Sequence, residues 1–110
     1  MDDRRKFTRY DCSFKVCYAT SDDLAYVEGS TIAKNISRGG LRLLVSRMIK
    51  RGHRLKLKIF TPDEDKTIEA TAKVKWINEG LATYSPMIDA GVQFTRASPS
   101  EVDRLLATVR

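Results

Sequence analysis

The chain has 110 residues, 42% hydrophobic and 31% charged, with 20 Lys and Arg against 14 Asp and Glu for a formal net charge of +6. That length fits one domain with a modest core, and the apolar fraction excludes disorder throughout. No apolar run reaches about 18 residues, which excludes a membrane-spanning helix; the basic excess favours an anionic partner without choosing among nucleic acid, nucleotide, membrane surface and acidic protein.

The first stretch, MDDRRKFTRY, combines Arg4, Arg5, Lys6 and Arg9 with two aspartates and the ring of Phe7. Such a composition buries little, so residues 1–9 are expected to be flexible, and the lack of an apolar leader points to a cytoplasmic protein. Tyr10 to Tyr18 then alternates, with Cys12, Phe14, Val16 and Tyr18 on one face and Asp11, Ser13, Lys15 and Cys17 on the other. This is the pattern of a half-buried strand. It sets Cys12 and Cys17 roughly 16–17 Å apart on opposite faces, beyond the reach of about 7 Å that a disulfide needs. With His53 the one further soft ligand, a zinc set has too few members.

Ser21 to Leu24 reads as a turn, and Val27 to Ile36 as a strand interrupted by Gly29 and Ser30. Asn35-Ile36-Ser37-Arg38-Gly39-Gly40 has the composition of a turn, since Asn, Ser and paired Gly tolerate a left-handed backbone. Leu41, Leu43 and Val45 resume the alternation, and Lys50-Arg51-Gly52 turns the chain again. In the strand from Arg54 to Phe60, Leu55, Leu57 and Ile59 face inward and Lys56 and Lys58 outward. After a polar loop around Asp63, Thr67 to Ile77 is the longest alternating run. It places Trp76 on the apolar face with Ile68, Ala70, Ala72 and Val74. A loop over 78–86 precedes the last strand, marked by Ile88, Ala90, Val92 and Phe94.

A helix over 98–109 closes the chain. Ser98 caps it, Pro99 suits the first helical position, and Glu101 completes a capping box. Val102, Leu105, Leu106 and Val109 form its buried stripe. Six short strands and one helix predict an all-β domain with a terminal helix: an antiparallel barrel or curled sheet, with the helix packed on one opening.

Catalysis requires a base, nucleophile or metal in mutual reach. His53 follows a turn glycine, the carboxylates of Asp63, Glu64 and Asp65 share a loop tip, and no dinucleotide or phosphate-loop fingerprint is present. The chain is therefore expected not to be an enzyme. Its arginines offer other chemistry, because a guanidinium forks two hydrogen bonds into a phosphate or into guanine O6 and N7 and also stacks on a base. Arg5 and Arg9, four apart, are spaced to clasp a ligand, and Arg4 adds a third charge. Asn35 presents an amide and Ser37 a hydroxyl, while Gly39 and Gly40 admit close approach of a ligand. Taken singly, these segments also read as a solvated tail and a plain β-turn.

Together, Arg5-Lys6-Phe7-Thr8-Arg9 at the entry to the first strand and Asn35-Ile36-Ser37-Arg38-Gly39-Gly40 after the second resemble the PilZ domain family. Lys73-Val74-Lys75-Trp76 and Ala90-Gly91-Val92-Gln93-Phe94 look like its later strands. Thr8 stands where that family often has proline, and Asn35 where it often has aspartate. The resemblance implies a six-stranded antiparallel β-barrel with a C-terminal α-helix over residues 10–110, acting as a receptor for cyclic di-GMP, a bacterial second messenger. By position, Arg5 and Arg9 would grip phosphates and guanine faces or Hoogsteen edges. Asn35 and Ser37 would contact a guanine, and Gly39 and Gly40 would permit the turn. Arg4 is compatible with a second, intercalated ligand molecule, and Lys6 and Arg38 are secondary candidates. The ligand would draw residues 1–9 onto the turn and present a new surface to an effector protein, with no metal or further cofactor. Two other readings remain open. One is a basic barrel for single-stranded nucleic acid, disfavoured because Phe14, Tyr18, Trp76 and Phe94 fall on apolar faces. The other is a PilZ-like interaction module indifferent to the nucleotide.

Overall fold

Period-two alternation produces strands wherever the sequence carries it. The computed structural model describes residues 7–21, 26–62, 66–79 and 85–110. Within them run β1 (Tyr10–Thr20), β2 (Glu28–Ser37), β3 (Gly40–Ser46), β4 (Arg54–Phe60), β5 (Thr67–Asn78) and β6 (Met87–Arg96), followed by the helix α1 (Pro99–Ala107). The strands pair antiparallel in the order β1-β2-β3-β6-β5-β4 and close into a barrel. Closure gives every strand two neighbours and leaves no edge to template aggregation.

Apart from the end of β5, the inward residues are the predicted ones. Phe14, Val16, Leu43, Val45, Leu55, Ile59, Ile68, Val74 and Ile88 are buried, and Val102, Leu105 and Leu106 of α1 join the same core. Burying a side chain of this size contributes about 1.5–3 kcal/mol each. Ser98 Oγ accepts the Glu101 backbone N–H at 3.4 Å, with Pro99 in the first turn, so the expected cap starts the helix. The helix stops at Ala107, and Val109 packs against the core from beyond it. Cys12 and Cys17 are both free. Cys12 Sγ donates to the Ala33 carbonyl while Cys17 Sγ pairs with Ser30 Oγ, and burial pushes the Cys12 thiol above its ordinary value.

Two expectations change. β2 runs through Gly29 and Ser30 without a break. A Cβ at Gly29 would lie 2.4 Å from the Tyr18 hydroxyl, so the glycine makes room for a core tyrosine whose oxygen accepts the Ser46 N–H. The second change concerns Trp76. The β5–β6 register slips between Val74 and Trp76, so that Val74 pairs with Val92 but Trp76 already pairs with Gly91. One extra residue in a strand reverses the faces of everything beyond it. Ile77 therefore packs on the core in the place expected of Trp76. The Trp76 indole turns to the outside, where its Nε1 would lie 2.1 Å from a Cβ at Gly91.

Candidate ligand-binding site

The β2–β3 hairpin is built by short side chains. Ser37 and Gly40 pair across it, and Ser37 Oγ accepts the Gly39 N–H at 3.1 Å, pinning the turn. The Gly39 carbonyl accepts the Phe94 N–H at 2.8 Å, which ties the turn to β6. A Cβ at Gly40 would lie 1.9 Å from the Val92 carbonyl oxygen, so only glycine lets β3 lie this close to β6. Among the described glycines Gly52 alone has a positive φ, of 93°. The left-handed backbone expected at Gly39-Gly40 is therefore not the reason for that pair. Close packing against Val92 and Phe7 is.

The entry segment meets this hairpin. The Arg9 guanidinium donates from Nη1 to Asn35 Oδ1 at 3.1 Å, and a Cβ at Gly39 would lie 2.9 Å from the Phe7 ring. Arg9, Asn35, Ser37, Gly39 and Gly40 are thus brought together. Arg4, Arg5 and Lys6 lie outside the described residues.

Asn35 belongs to a longer row. Asp11, Asn35, Arg42, Gly91 and Trp76 are successive Cα partners across β1, β2, β3, β6 and β5. At about 4.8 Å per strand, Asn35 and Trp76 stand roughly 14–15 Å apart on the outer wall. Between them Gly91 leaves the surface low. Trp76 is the site candidate that alternation missed, and its one sequence signal is Gly91 in the middle of an otherwise well-filled strand.

Charge on this wall is selectively neutralised. Arg42 grips Asp89 in bidentate fashion, Nε to Oδ1 at 3.1 Å and Nη2 to Oδ2 at 2.6 Å, and this bond holds its pKa above the ordinary value. Arg38 Nη2 reaches Asp103 Oδ1 of α1 at 2.9 Å. Neither is a free surface cation. Among the described residues Arg9 is exposed and has the neutral Asn35 amide as its hydrogen-bond partner, with no carboxylate closing on it. That combination is chemically suited to an anion with hydrogen-bonding edges. Among the described residues no three His, Cys, Asp or Glu side chains gather as a metal site, and no helix is long and apolar enough to cross a membrane.

A closed six-stranded antiparallel barrel followed by one C-terminal helix, with the β2–β3 hairpin meeting Phe7 and Arg9, defines the class of fold. The PilZ domain model matches residues 3–110, and the chain belongs to the PilZ domain family. Solved structures share the fold. The Bacillus subtilis inhibitor of motility, MotI/DgrA, matches with a TM-score of 0.74 and 24% identity over 97% of this chain and 50% of its own. The PilZ domain of Escherichia coli YcgR with c-di-GMP matches with a TM-score of 0.66 and 14% identity, over 97% of this chain and 89% of that one. The K. pneumonia MrkH–c-di-GMP complex matches with a TM-score of 0.66 and 16% identity, over 98% of this chain and 51% of that one. The chain thus spans about half the length of MotI/DgrA and MrkH. No curated protein matches it in sequence.

Proposed function

We propose that this protein is a cyclic di-GMP receptor that signals to an effector protein. The observation that carries the reading is the contact of Arg9 with Asn35 on the outer face of the hairpin, which joins the two halves of the motif. Family membership and the c-di-GMP held by the YcgR and MrkH structures support it. Arg5 and Arg9 grip phosphates and guanine edges, and Arg4 extends the cationic arm toward a second ligand molecule. Asn35 keeps its amide N–H groups for a base, and the Ser37 hydroxyl, already an acceptor for Gly39, keeps its proton to donate. Trp76 supplies a stacking surface at the far end of the row, while Lys6 and Arg38 play secondary parts. The arginines ahead of Phe7 join Arg9 at the hairpin as the ligand binds, and the reshaped surface is what the effector in the cytoplasm reads.

Calorimetric titration with cyclic di-GMP tests this directly. The wild-type protein is expected to bind; no heat at tens of micromolar ligand would overturn the reading. Arg9→Ala removes a charge-assisted contact of about 1.5–3 kcal/mol, a loss of roughly tenfold or more. A random single-stranded oligonucleotide serves as the control, and its tighter binding would favour the nucleic-acid reading instead.

A further inference from the structure

A second concave face lies on the barrel wall opposite the ligand row. There β1 and β4, flanked by the first halves of β2 and β5, border a cleft of about 1120 Å³. Two rows of Cα partners cross it: Ser30, Cys17, Lys58 and Glu69, then Glu28, Ala19, Lys56, Thr71 and Arg96. Short side chains make its floor, at Cys17, Ala19, Ser30 and Thr71. Longer ones, Lys56, Lys58 and Arg96, stand over it as cations with no ion-pair partner among the described residues. Lys58 lies opposite Glu69 in register without closing on it. Lys15 adds a further cation at one end, its ammonium 5.2 Å from the centre of the Phe60 ring.

We infer that this cleft docks an acidic amphipathic helix of a partner protein, an inference that builds on the effector part of the proposed function by giving the partner a chemistry and a place to bind. Four strands span roughly 14–15 Å, room for a helix about 10–12 Å across laid along them. The low floor of small side chains matches a helix stripe of Ala or Leu, and the unpaired lysines match Glu or Asp beside that stripe. A planar bilayer cannot enter a concave face. Glu28 and Glu69 interrupt the cations, which suits a helix whose few acidic side chains meet Lys56, Lys58 and Arg96 one by one better than a nucleic-acid strand with a phosphate at every nucleotide. β2 and β5 each run from this cleft to the ligand row, carrying Ser30 and Asn35 on one strand and Thr71 and Trp76 on the other. The two faces are therefore joined by continuous strands.

The test uses the isotope-labelled full chain and a synthetic helical peptide of about 18 residues, roughly 27 Å long, with an Ala/Leu stripe flanked by Glu. Its controls are a peptide of the same composition in permuted order and a random single-stranded oligonucleotide. Amide shifts are expected at Cys17, Ala19, Ser30, Lys56 and Lys58, weakening as salt is added. The double variant Lys56→Glu, Lys58→Glu should lose at least about tenfold in peptide affinity, and Ala19→Trp, which fills the floor without changing charge, should lose binding too. Both should keep a dispersed amide spectrum and wild-type cyclic di-GMP affinity. Equal binding of the permuted peptide or the oligonucleotide, shifts confined to other strands, or undiminished binding by both variants would each overturn the inference. Cyclic di-GMP binding without peptide binding removes the docking site and leaves the receptor reading intact; the reverse result removes the receptor reading alone.

Discussion

Gly40 and Gly91 are both crowded glycines, but their neighbours differ in what they can yield. Gly40 faces the Val92 carbonyl, a backbone atom held in a barrel strand, so Gly40→Ala must push β3 from β6. A cost on the order of 1–3 kcal/mol is expected, read from the urea midpoint; an unchanged midpoint would mean that the two strands part freely there. Gly91 faces the Trp76 indole, a side chain that can swing away. Gly91→Ala should therefore cost less stability than Gly40→Ala while shifting the emission of the protein's single tryptophan. The same emission should change when cyclic di-GMP is titrated into the wild-type protein. Constant emission through a titration that calorimetry shows to saturate would remove Trp76 from the site.

At the scale of elements, the β2–β3 hairpin is fastened on three sides. β6 holds Gly39 through the Phe94 N–H, the entry segment lays Phe7 against it, and α1 reaches it through Asp103 and Arg38. The last of these is an exposed ion pair, worth about 0–1 kcal/mol, so Asp103→Asn should barely move the unfolding midpoint. It frees the Arg38 guanidinium beside the hairpin. Affinity for cyclic di-GMP is then expected to rise, by up to about fivefold, in a calorimetric comparison with wild type. A fall in affinity would show instead that Asp103 holds Arg38 where the ligand needs it. The terminal helix faces two ways: Val102, Leu105 and Leu106 join the barrel core while Asp103 meets Arg38 of the hairpin.

For the molecule as a whole, exposed cations stand on two walls: Arg9 at the hairpin, and Lys56, Lys58 and Arg96 at the cleft. Arg42 and Arg38, on either side of the Gly39-Gly40 pair, are largely cancelled by Asp89 and Asp103. Attraction of an anionic ligand then rests on few exposed charges, and such charges are screened over about 10 Å at 0.1 M salt. Cyclic di-GMP affinity is expected to fall as salt rises, and more steeply for wild type than for Arg9→Ala. Parallel salt slopes would place the charge that matters elsewhere.

Much of this was legible from the chain alone, and for local reasons. Alternation sorts inside from outside over each strand because the pleat repeats every two residues, and it located all six strands. Ser98, Pro99 and Glu101 announce the helix because a cap acts within one turn. Arg9, Asn35 and Ser37 stand out together through the resemblance to the PilZ family, since each segment alone also reads as a tail or a turn, and the fold brings them side by side. What depended on which distant strand lies opposite was not legible. The slip at Trp76 reverses a face through one unpaired residue, and its one mark in the sequence is Gly91 on the partner strand, which only the pairing interprets. Gly29, Gly40 and Gly91 owe their identity to Tyr18, Val92 and Trp76 across the sheet. The pairing of Arg42 with Asp89 joins residues far apart in sequence, and only barrel closure sets the lysines of β4 beside the small side chains of β1. A chain's local periods determine its elements and the faces they expose; only the register between them decides which exposed groups meet.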